Sequence, residues 1–102
     1  MNSDLLSLGK DVLVGEYVRG VSVLGNGLVV TYVLPDAVEV IAQEGKRIHR
    51  LDNTSFRRKL FDYPEHVAVS SDSTRVFIAD WNTIIMLSDQ LKLLATFRQT
   101  HL

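Results

Sequence analysis

From Gly20 onward, short apolar runs rich in valine and isoleucine alternate with brief polar segments. Runs of this kind, bounded by Gly, Pro, Asn and Asp, read as the strands of an antiparallel meander. The pattern predicts strands over 20–24, 28–32, 37–42 and 46–51, separated by Gly25-Asn26-Gly27, Leu34-Pro35-Asp36 and Gln43-Glu44-Gly45. Glycine supplies positive φ, and proline fixes φ and removes a donor, so these separators have a mechanical reason to end a ladder. A second series is predicted over 66–69, 76–80, 84–88 and 91–97, with turns at 70–74, Trp81-Asn82 and Asp89-Gln90. Val76, Ile78, Ile84, Ile85 and Leu87 make nearly continuous apolar stretches, which predicts sheets covered on both faces.

The second series repeats the first. Val21 and Val67, Val38 and Ile84, Lys46 and Lys92, and Leu51 and Phe97 are each 46 apart, whereas Leu28 and Val76 are 48 apart. The second copy therefore has two extra residues in its first turn and two fewer in its next, and indels confined to turns are what a repeated packing unit tolerates. A period of this size signals a solenoid, propeller or array. The expected organisation is an N-terminal segment over 1–19, a first four-stranded unit over 20–51, a connection over 52–64, a second unit over 65–98 and a tail over 99–102. The N-terminal segment is expected to add a strand around 11–18, belonging to a neighbouring blade. The fold class expected is all-β, two four-stranded antiparallel blades of a partial or self-assembling β-propeller. Propellers have about 4–8 blades, so two blades are expected to belong to a larger propeller or to associate with copies of themselves.

Composition narrows the function classes more than it names one. The 102 residues are 46% hydrophobic and 23% charged, with a formal net charge of −1 and no cysteine. That balance fits an ordinary folded domain and argues against a generally basic nucleic-acid binder. Disulfides, thiolate metal sites and a cysteine nucleophile are excluded. No run approaches the roughly 20 apolar residues of a membrane span, and the opening MNSDLLSLGKDVLVG makes a poor signal peptide, so the expectation is a cytoplasmic protein without a membrane partner. Asn53-Thr54-Ser55 satisfies the glycosylation pattern but is read as unused for the same reason.

The passage YPEHVAVSSDSTRVFIADWNTIIMLSDQLKLLATF carries a family resemblance. Pro64, Val67-Ala68-Val69, Asp72, Val76-Phe77-Ile78, Ala79-Asp80, Asn82 and residues 84–87 resemble an NHL repeat, a propeller blade, in order and character. The first copy resembles it more loosely, with Thr31-Tyr32 where Ala-Asp is expected. In animals, NHL propellers often close tripartite-motif ubiquitin ligases and recognise proteins or RNA. The resemblance thus implies a binding scaffold; ligase activity does not carry over, because the RING, B-box and coiled coil are not in this sequence.

In a meander, the second-to-third turn of each unit and the connection between units emerge at one end. This predicts that residues 34–36, Trp81-Asn82 and residues 52–63 share a face. The candidate partner-binding residues there are Arg57, Arg58, Lys59, Phe61 and Tyr63. Between Lys46 and Lys59 there are six basic residues and one acidic, Asp52. Two functional readings follow, an acidic protein partner or single-stranded RNA held by cations and stacked on the aromatic pair. The plainer reading is a solvated loop kept soluble by its charges. Asp80-Trp81 is read as scaffold, Asp80 bonding its turn and Trp81 packing on the next blade, with Tyr32 filling the comparable place in the first copy. His49, His66 and His101 lack metal-ligand spacing, and no serine sits in a nucleophile elbow. No catalytic, cofactor or metal residues are assigned. The expected function is non-enzymatic: a protein-interaction scaffold, with RNA binding as the alternative and a fragment of a metal-dependent propeller hydrolase or lyase as a third reading.

Overall fold

The computed structural model describes residues 17–98. They form eight strands: β1 Val18–Leu24, β2 Gly27–Tyr32, β3 Ala37–Ile41, β4 Arg47–Asp52, β5 Pro64–Val69, β6 Arg75–Asp80, β7 Thr83–Ser88 and β8 Leu93–Arg98. A single 3-10 turn at Asn53–Ser55 follows β4. The strands make two antiparallel meanders, ordered β1-β2-β3-β4 and β5-β6-β7-β8. Every strand begins and ends within two residues of its expected place. The additional strand expected around 11–18 lies outside the described residues except at its end, where Val18 opens β1.

The repeat is carried into the details of the ladders. Each first strand has a bulge at the same repeat position, leaving Arg19 unpaired between Val18 and Gly20 and Glu65 unpaired between Pro64 and His66. Each last strand has one as well, at Ile48 and at Leu94. Bulges bend a strand and increase its twist, so the two sheets share a curvature as well as an order. Equivalent residues also meet across the sheets. Arg19 and Glu65, the two first-strand bulge residues, form an ion pair at 3.1 Å. The Gly25 N–H donates to Ser73 Oγ at 3.2 Å, joining the two first turns at residues with φ of 58° and 59°. β1 lies beside β5, and a Cβ at Gly20 would sit 2.7 Å from the Glu65 carbonyl oxygen, so a glycine sets that approach.

The main core lies between the sheets. Leu24, Val29, Val38 and Val40 of the first sheet pack with Val76, Ile78, Ile85 and Leu87 of the second, and Phe61 and Leu91 complete the cluster from loops. The opposite side of the first sheet is also closed at its centre, where Val30, Tyr32, Ala37 and Ile41 are buried. Glu39 is buried among them. Its carboxylate accepts from Tyr32 Oη at 2.8 Å and pairs with Arg47 at 3.1 Å and Arg50 at 2.8 Å, which is how a charge is accommodated there. The second sheet departs from the expectation of cover on both faces. Val76, Ile78, Ile85 and Leu87 are buried against the first sheet, but Ile84 points to the other side and is 48% exposed.

Candidate functional site

The end of the sheets that carries the connection is built by two side chains that act as brackets. Asp52 N-caps the 3-10 turn, accepting from Thr54 N–H at 3.0 Å and from the Thr54 hydroxyl at 2.5 Å, and these bonds with Arg50 hold its carboxyl below the ordinary value. Next, Asn53 closes the loop on itself. Its side chain accepts from Phe61 N–H at 2.7 Å and donates to the Phe61 carbonyl at 2.8 Å, pinning residues eight positions apart. The Asn53 side chain of the glycosylation pattern is thus committed to the fold.

Asp80 forms the second bracket. It is buried at the end of β6, and its carboxylate accepts from the backbone N–H of both Asp62 and Tyr63 at 3.0–3.2 Å. Asp80 therefore anchors the connection rather than its own turn, which corrects the reading from sequence. Burial pushes its carboxyl up, those two N–H donors oppose the shift, and Asp62 and Asp36 add to it. Asp36 is likewise raised, chiefly by burial, with Lys59 opposing. Lys59 pairs with Asp62 and the Asp62 N–H reaches Asp80, so the connection and the end of β6 meet at one end, as the meander geometry predicts.

The five candidate residues separate into different roles. Phe61 is fully buried in the main core and presents no ring to a partner. Tyr63 is half-buried, with the Arg19 guanidinium 5.0 Å from its ring centroid, so one ring face is already occupied. The expected stacking pair is corrected accordingly: both rings secure the loop to the sheets. Lys59 pairs with Asp62 at 3.1 Å, and that contact holds its ammonium above the ordinary value. Arg57 and Arg58 are exposed and make no ion pair among the described residues.

Half of the linear run of positive charge is neutralised within the fold. Arg47 and Arg50 turn to Glu39 on the first sheet, Arg50 also meets Asp52, and Lys59 is neutralised locally. Sequence order could not show the Glu39 pairs, because those partners are set by cross-strand register. Glu39 lies opposite Arg50 only because β3 and β4 pair as they do.

Trp81 is the residue that the sequence reading undervalued. It is 78% exposed and holds φ at 53°, a left-handed backbone that a bulky residue rarely adopts. The Trp81-Asn82 turn gave the only signal, since a two-residue hairpin favours positive φ. Tyr32 is not its counterpart. By register Tyr32 pairs with Ala37 as Asp80 pairs with Thr83, so Tyr32 takes the place of Asp80 and is buried. Among the described residues, no three of His, Asp and Glu converge as a metal site, and no helix is long and apolar enough to cross a membrane. No protein-family model and no curated protein sequence matches the chain.

Proposed function

We propose that the chain is a non-enzymatic partial β-propeller of two NHL-type blades that presents a fixed loop to an acidic protein partner. The observation that carries this reading is the pair of exposed guanidiniums, Arg57 and Arg58, on a connection bracketed by Asn53 and Asp80. A loop held by fixed anchors lets a partner bind without the cost of ordering it. Planar guanidiniums suit bidentate contact with carboxylates. Single-stranded RNA is the weaker reading, since base stacking needs free aromatic faces and Phe61 and Tyr63 are engaged within the fold.

The test is binding of a labelled glutamate-rich peptide and of an unstructured oligoribonucleotide, followed by fluorescence anisotropy over a salt series. Replacing Arg57 and Arg58 together by alanine is expected to weaken peptide binding by about tenfold, as loss of charge-assisted contacts of about 1.5 kcal/mol implies. The oligoribonucleotide is expected to bind poorly with a shallow salt slope, near −1.4 for about two neutralised phosphates. A steep salt slope with tight RNA binding, or peptide binding indifferent to the double substitution, overturns the assignment.

A further inference from the structure

The outer face of the second sheet is apolar and open. Two rows cross it, His66, Ala79, Ile84, Phe97 and Ala68, Phe77, Met86, Ala95. Ile84 is 48% exposed and Phe97 55% exposed, and beside them Trp81 borders a shallow groove of about 400 Å³ floored by Ala79, Ile84 and Phe97. The first copy of the repeat shows what covers such a face. Val29, Val38 and Leu51 hold the positions of Phe77, Ile84 and Phe97, and they pack against the second sheet, with Val29 and Val38 fully buried. The second copy keeps the apolar character at these positions and lacks only the cover. Trp81 adds an independent sign. Its left-handed backbone is unfavourable for a bulky residue, and an indole this exposed gains little packing within the chain to offset it.

We propose that this face is closed by the same face of a second copy of the chain, giving a two-fold symmetric dimer. A head-to-tail ring needs an open face on the first sheet as well. The centre of that face, Val30, Tyr32, Ala37 and Ile41, is buried within the single chain. One open sheet face among the described residues leaves the isologous arrangement, in which the same patch meets itself. Charge permits it, because neither apolar row contains an acidic residue and the cations Arg75 and Arg98 stand at opposite ends of the sheet. The area is sufficient for a weak dimer. Trp81, Ile84 and Phe97 present roughly 400 Å² per copy, and with the rim the contact buries about 1,000 Å² in total, the lower bound of a specific interface. The inference concerns the sheet face, not the basic loop, and is tested separately from partner binding.

Sedimentation equilibrium of the full chain, from low micromolar to several hundred micromolar, reads the proposal directly. The expected result is a reversible monomer–dimer equilibrium. The sole tryptophan reports the same event, its emission shifting to the blue as Trp81 leaves water. Phe97→Glu is expected to weaken association at least tenfold, roughly the effect of 1.4 kcal/mol. Trp81→Gly, which suits φ of 53° and so preserves the fold, is expected to weaken it too, read by mass. Lys46→Ala, on an exposed turn of the first unit, leaves it unchanged. A monomer at every concentration overturns the proposal and points to a further sheet of a longer chain as the cover. A ring of three or more copies, or a dimer indifferent to both Phe97→Glu and Trp81→Gly, overturns it equally.

Discussion

Phe61 and Arg58 lie three residues apart in one connection, yet their side chains belong to different parts of the molecule. The Phe61 ring is fully buried among Val76, Ile78, Ile85 and Leu87, whereas Arg58 is exposed. Phe61→Ala is expected to cost about 3–5 kcal/mol, the range for removing a fully buried phenylalanine. Arg58→Ala is expected to fall within about 0.5 kcal/mol of the parent, as surface substitutions do. Urea unfolding followed by far-ultraviolet circular dichroism separates the two. A phenylalanine variant as stable as the parent would contradict its place in the core. The contrast also explains why the site was only partly legible from sequence. Arg57, Arg58 and Lys59 announce an exposed loop by their charge, but no periodicity in a loop marks Phe61 as inward. Its burial depends on the Asn53 bracket and on a sheet that the loop does not belong to.

Among the elements, the turns show how local chemistry fixes the strands. Gly25-Asn26-Gly27 and Asp72 were readable in advance because their signals lie within a few residues of one another. The β5–β6 turn is organised by Asp72, which accepts from the Ser70 hydroxyl at 2.7 Å, the Thr74 hydroxyl at 2.7 Å and the Thr74 N–H at 3.1 Å. These donors favour the charged form and lower its carboxyl from 3.8 to about 2. A depressed carboxyl contributes stability that is present above its unfolded value and lost as pH falls through the folded one. The turn is therefore expected to hold down to pH 3.8 and to loosen between there and about pH 2. Amide exchange at Thr74 against pH measures this, and Asp72→Ala should remove the protection at all pH values. A midpoint at the ordinary carboxyl value would show that the turn bonds do not form in solution. Glu39 marks where such local reading fails. It interrupts an apolar strand, and the residues that neutralise it, Arg47 and Arg50, sit on β4 and are chosen by register.

At the scale of the molecule, two similar sheets share one core, and this decides how the chain unfolds. The first sheet keeps a small apolar cluster of its own on its far side, Val30, Tyr32, Ala37 and Ile41, but the larger cluster is shared: Val29, Val38 and Val40 lie against Val76, Ile78, Ile85 and Leu87, with Phe61 between them. Separating the sheets would bare both sides of that cluster together, at about 25 cal/mol for every Å² of apolar surface exposed. Among the described residues, neither bared face would find another sheet to cover it. The sheets are thus expected to open as one unit, with amides of β2, β3, β6 and β7 sharing a single opening free energy. Val38→Ala tests the coupling, because it removes two methyl groups from the first sheet only. Expected is a loss of about 2 kcal/mol, the low end for a large-to-small core change. It should appear equally in the exchange protection of β2 and β3 and in that of β6 and β7. Protection lost in the first sheet alone would mean that the repeat units fold independently and merely touch.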